Sequence, residues 1–256
     1  MTTIAVAETP LVLGLLRLAD TALVHAQRLS EWCGHAPMLE EDLALANLAL
    51  DLIGQARALY AYAAEAEGAG RTEDDLAYRR DAPQFRNVLI AELPRGDFAF
   101  TILRAFLLAA HAQPFWRAAS QSNDATLAAI AAKAEKEAAY HLRHSGEWVI
   151  RLGDGTEESG RRMREALATL WPYTGELFEA DAADRALVEA GILPASEDLR
   201  PVWDATVDRV FGEACLTRPP ETWMQSGGRS GRHTEHLGHM LAVMQHLQRA
   251  YPGATW

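Results

Sequence analysis

The sequence predicts an all-α fold, and three observations carry that expectation. Ala and Leu dominate while β-branched residues are sparse, so few segments suit a pleated, half-buried surface. No Asn-Gly hairpin turn occurs in the 256 residues. Capping residues recur ahead of long apolar stretches, at Thr9, Asp97, Asp124 and Thr156.

Taken in order, Thr9-Pro10 reads as an N-cap followed by proline at the first helical position, opening a helix to about Gly34. Glu40-Glu41-Asp42 opens a second helix on acids that suit an N-terminal dipole, and it runs to Gly68. Apolar residues cover almost all of its sides, which predicts a buried central helix. Residues 69–96 are irregular, with Pro83 and Pro94, and leave room for short helices at 72–79 and 85–92. Asp97 caps a third long helix, and Asp124 caps a fourth that stops at Gly153-Asp154-Gly155. Thr156 opens a fifth, a short helix at 181–190 ends on Gly191, and Ser196-Glu197-Asp198 opens another to about Leu216. A Gly-rich loop, Ser226 to Gly231, precedes a last helix from Thr234 to Tyr251. Four long helices with a long connection between the second and third have the topology of a ferritin-like four-helix bundle. With no linker or repeat, the chain reads as one domain, a core bundle over about 9–155 and additional C-terminal helices over about 156–256.

Composition bounds the partners. The chain is 49% hydrophobic, enough for a sizeable core, and carries a net charge of −11, which disfavours nucleic acid and anionic lipid. Lys133 and Lys136 are the only lysines; every other cation is Arg, a side chain suited to interface ion pairs. Cys33 and Cys215 lie far apart and form neither a disulfide framework nor a thiolate metal site, so a reducing cytoplasm is expected. The N-terminus lacks a basic segment ahead of its apolar stretch, and Asp51 and Arg104 interrupt the most apolar runs, so no secretion signal or spanning segment is expected.

A ferritin-like bundle raises the question of metal. A di-iron site needs one Glu from each of two helices and a Glu-x-x-His pair from each of the other two. The third helix has no acid from Phe98 to Asn123, the second has no Glu-x-x-His, and the fourth presents Ala138-Ala139-Tyr140-His141. Asn47, Asp51 and Gln55 recur every four residues, and Glu137 lies four before His141; these read as a buried polar network.

Residues 27–37 (QRLSEWCGHAP), 41–57 (EDLALANLALDLIGQAR), 137–144 (EAAYHLRH) and 232–248 (RHTEHLGHMLAVMQHLQ) resemble the C-type subunits of bacterial phenylacetyl-CoA 1,2-epoxidases, as does the terminal Pro-Gly-x-x-Trp. The likeness covers nearly the whole chain. It implies a structural subunit that supports a related, di-iron catalytic subunit in a multicomponent monooxygenase of aerobic phenylacetate catabolism. Iron would sit in that partner, and NADPH, flavin and iron-sulfur in a reductase component, with no cofactor on this chain. Matched to the catalytic subunit's pattern, Leu52 and Gln55 stand for the Glu and His of the second helix, and Ala138 for the Glu paired with His141. The Glu positions of the first and third helices fall near Ala22 and Ala109. Only His141 keeps a ligand side chain.

The run His233-Thr234-Glu235-His236-Leu237-Gly238-His239 invites a zinc reading, but its order is Glu-His-x-x-His and no distal ligand is evident. A capped helix start within an interface is the plainer account. Arg229 and Arg232 on the preceding loop, with His233, Glu235 and His236, could instead touch a partner or a CoA phosphate. Trp32, Trp116, Trp148, Trp171 and Trp203 are expected in the core or at a subunit contact. Two other functions stay open: a divergent metal oxidase using Asp20, Asp51, His111, Glu137 and His141, and a free-standing CoA-ester binding module. Self-association through an exposed apolar face is also expected of the chain without its partner.

Overall fold

The computed structural model describes residues 3–220, 223–252 and 254. Gly253 and Trp256 of the terminal motif lie outside them. Eleven α-helices and no strand occur among the described residues. Helix α1 (Pro10–Ser30) starts where expected, with the Thr9 hydroxyl accepting from the Val12 amide. Helix α2 (Leu39–Glu67) ends on Gly68 in the left-handed conformation, φ 72°, which glycine adopts without a Cβ penalty. Helices α3 (Glu73–Tyr78) and α4 (Leu89–Glu92) are the short elements of the long connection, α4 shorter than the expected 85–92. Helix α5 (Phe98–Ala119) is capped by Asp97 and α6 (Ala125–Gly153) by Asp124. Then follow α7 (Glu157–Leu170), α8 (Ala182–Glu189), α9 (Ser196–Glu213), α10 (Glu235–Met244) and α11 (His246–Ala250).

The bundle is built from two tight helix pairs, α1 with α2 and α5 with α6, brought together by the long connection. Helices α7 and α9 pack on the second pair and α8 on the first. The expected last helix is broken at Gln245. Its side chain turns inward, and Nε2 donates to the carbonyls of Ala77 and Arg80 at 3.0 and 3.1 Å. Trp32, Trp116, Trp171 and Trp203 are buried, and Trp148 is half-buried with its ring edge-on to Phe98.

Two expectations are corrected. Helix α2 is not buried all round: Leu39, Leu43 and Leu50 are 71, 57 and 64% exposed. Helix α5 is long and apolar enough to cross a bilayer by length and composition, Arg104 notwithstanding. One arginine does not offset so apolar a sequence. Here 72% of its most apolar window is buried inside the protein, and Arg104 donates to the carbonyls of Leu93 and Pro94.

Candidate functional site

A cavity of about 330 Å³ lies among the four long helices and is completed by α8 and neighbouring segments. Ala22 and His25 line it from α1, Leu52 and Gln55 from α2, Ala109 and His111 from α5, and Ala138 and His141 from α6. All six positions matched to metal ligands, Ala22, Leu52, Gln55, Ala109, Ala138 and His141, therefore meet at one place, each helix contributing from its inner face.

The donor set does not fit two metal ions. The four positions that the resemblance matches to carboxylates hold Ala22, Leu52, Ala109 and Ala138, whose side chains cannot neutralise cationic iron. Gln55 Nε2 donates to Glu137 Oε2 at 2.8 Å, and Lys133 Nζ lies 3.4 Å from Glu137 Oε1. His141 Nε2 faces Asp51 Oδ2 at 3.1 Å. Burial lowers the His141 pKa below the ordinary imidazole value, although the Asp51 bond and charge pull the other way. Among the described residues no group of three His, Cys, Asp or Glu side chains is placed to hold a metal.

The polar network is a ladder between α2 and α6 rather than a stripe on α2. Its rungs are Gln55 with Glu137, Asp51 with His141, and Glu41 with His144, whose Nε2 is 3.0 Å from Glu41 Oε2. Asn47 lies outside it. It is exposed, because the fourth-residue spacing drifts around α2 and carries Asn47 onto the outer face beside Leu43 and Leu50. Asp51 is only part-buried for the same reason.

The other candidates are held by internal partners. Asp20 accepts both Nη atoms of Arg80, the Tyr60 hydroxyl at 2.5 Å and the Arg86 amide at 2.7 Å. That ion pair is fully buried and separate from Asp51, Glu137 and His141. Arg229 Nη2 donates to both oxygens of Asp184 at 2.7 Å, and its Nη1 to the Glu179 carbonyl. The amides of Gly227 and Arg229, offered by sequence to a phosphate, donate to Glu176 Oε1 at 2.9 and 3.2 Å. Burial raises the Glu176 pKa, opposed by those amide bonds.

His233 places Nδ1 2.7 Å from Glu92 Oε2 and Nε2 2.9 Å from the Phe85 carbonyl. Two acceptors satisfy an imidazolium better than a neutral ring. Burial works against the charge, but the Glu92 bond and charge outweigh it and raise the pKa. Glu92 Oε1 also accepts the Thr234 amide, so a buried carboxylate rather than the Thr234 side chain caps α10. The His236 carbonyl accepts from Arg28, while Arg232 and Glu235 are exposed.

Sequence reasoning missed His25. It lies three residues after Ala22 and so shares that inward face, a spacing that could have flagged it. His25 and His111 each line the cavity with a buried Nε2 that has no hydrogen-bond partner. Burial presses the pKa of His25 well below the ordinary value, helped by Arg104, and that of His111 to about 4, helped by Arg229. The cavity is thus apolar, edged by neutral imidazoles.

The family described as phenylacetic acid catabolic protein matches residues 1–256. The chain is 53% identical over 241 residues to the C-type subunit of 1,2-phenylacetyl-CoA epoxidase from Escherichia coli (strain K12), covering 94% of this chain and 97% of that one. The chain belongs to the phenylacetic acid catabolic protein family, as a member of its C type.

Proposed function

We propose that the chain is the non-catalytic structural subunit of a multicomponent phenylacetyl-CoA 1,2-epoxidase, acting in the cytoplasm in aerobic phenylacetate catabolism. The observation that carries this reading is one cavity lined by Ala22, Leu52, Gln55, Ala109, Ala138 and His141, the six residues that the resemblance matches to metal ligands, of which five have side chains that are not metal ligands of that kind. Support also comes from the relative's description as one subunit of an epoxidase. In this reading, oxygen chemistry belongs to a di-iron partner fed by an NADPH-dependent reductase. The chain's contribution is mechanical: the α2–α6 ladder stiffens the bundle, and the bundle presents a face to the catalytic subunit. The outer face of α2, where Leu39, Leu43 and Leu50 stand exposed, suits that contact, since large apolar side chains exposed together on one face mark interaction surfaces.

The test is reconstitution. Co-expressed with the catalytic subunit, the chain is expected to co-purify with it, and epoxidation of phenylacetyl-CoA should require both. The isolated chain should consume no oxygen with reductase and substrate. Oxygen consumption by the chain alone, or full activity of the catalytic subunit without it, would overturn the proposal.

A further inference from the structure

The cavity is more than a lost metal site. Its depths are walled by Ala22, Ala109 and Ala138, all buried, while its mouth reaches the exposed Arg185, Glu189 and Glu197. It therefore runs from the surface to the middle of the bundle. A volume of about 330 Å³ falls within the size range of small-molecule sites. It is about twice the volume of an apolar cavity that accepts a benzene ring, roughly 150 Å³.

Two side chains that line it each carry a buried nitrogen without a partner. His25 is a buried residue, and its Nε2 has no hydrogen bond; the Nε2 of His111, on α5, is in the same condition. An unpartnered buried nitrogen destabilises the protein unless something supplies the missing bond. Here two such atoms, from two different helices, belong to side chains that line one apolar space. Phe115 and Trp116 add aromatic wall beside His111.

The charges at the mouth decide which guests fit. Arg17 is paired with Asp181 and Asp184, and Arg229 with Asp184. Exposed Glu189 and Glu197 stand alongside exposed Arg185. Arg86 is paired with Glu8, and Arg185, in no ion pair among the described residues, is exposed to screening water near two carboxylates, so the rim holds no buried free cation to select an anion. Inside, uncharged imidazoles give or take one hydrogen bond each and bring no charge to match a carboxylate.

We infer that this cavity is a binding site for a small uncharged aromatic molecule bearing a hydroxyl group, a phenol or aryl alcohol. The ring would fill the space left by Ala22, Ala109 and Ala138, and the hydroxyl would bond Nε2 of His25 or His111. A hydroxyl suits either nitrogen because it both donates and accepts. This goes beyond the supporting role proposed above. Its failure would leave that role standing, because reconstituted activity is measured separately.

The probe is 4-fluorophenol, titrated into the full-length chain, alone and in complex with its partner, and followed by fluorine NMR. Saturable binding is expected in both states. Ala138→Leu, which fills the cavity, should abolish it, and His25→Leu should weaken it about tenfold or more. Nuclear Overhauser contacts from the probe ring to the methyls of Ala22, Ala109 and Ala138 locate the site in the unaltered protein, whatever the variants' folding. The charged analogue 4-fluorophenylacetate should not compete. No saturation up to the probe's solubility limit, contacts to other methyls, or equal binding by 4-fluorophenylacetate would overturn the inference.

Discussion

Asp20 is a side chain shut from water, and its neighbours satisfy its oxygens there. It accepts from Arg80, from Tyr60 and from the Arg86 amide, and Arg80 in turn lies over the Phe85 ring at 4.5 Å. Removing one partner of a buried ion pair leaves the other charge uncompensated, at a cost of about 3–5 kcal/mol. Asp20→Ala should therefore lower the unfolding free energy by about that amount in chemical denaturation, and a loss below about 1 kcal/mol would refute the arrangement. The buried imidazoles give a pH dependence of definite sign. Because the folded-state pKa of His111 is lowered to about 4, the unfolded chain takes up that proton first as pH falls below the ordinary value. The stabilisation is complete above about pH 6.5 and is lost on acidification through the window down to about 4, on the order of 3 kcal/mol for this residue. His233, with its raised pKa, acts oppositely: its contribution is present at low pH and fades as pH rises past the raised value. Melting curves between pH 7 and 4.5 should show a shallower acid loss in His111→Leu than in the unaltered chain, and identical slopes would count against a neutral buried His111. At this scale much was illegible. Asp20 reads from sequence as a spare ligand because Arg80 lies 60 positions away in an irregular segment. Glu176 and Glu92, which take up the amides and the histidine of the C-terminal loop, come from stretches 51 and 141 positions away.

Helices were the legible level. Thr9, Asp97, Asp124 and Thr156 each accept a hydrogen bond from a first-turn amide, so the signals that predicted those starts are physical ones. The break at Gln245 was not legible, since its cause is two carbonyls in another part of the chain. Helix α2 shows a different limit. A leucine that packs in a core and one that awaits a partner look alike in sequence, so apolar periodicity assigned α2 to the interior. The exposed Leu43 and Leu50 instead occupy its outer face, with Asn47 between them. Replacing both with Glu should leave the melting temperature within a few degrees, because neither is in the core, and should sharply reduce co-purification with the catalytic subunit. Undiminished association would move the partner contact to another face.

The whole molecule is an all-α bundle built around a cavity that opens to the surface. The bundle topology was legible because it depends on helix lengths and on one long connection. Ala22, Leu52, Gln55, Ala109 and Ala138 were singled out one by one, by the family resemblance. That they surround a single space reaching the surface, edged by His25 and His111, required the packed helices. The central claim, that this chain supports a metal enzyme without being one, is tested most directly by iron loading. The purified chain is incubated with ferrous iron under anaerobic conditions, desalted, and assayed for bound metal by mass spectrometry. With four carboxylate positions lost, iron should remain far below stoichiometric. Retention of roughly two iron atoms per chain, the complement of an intact site of this topology, would contradict the account.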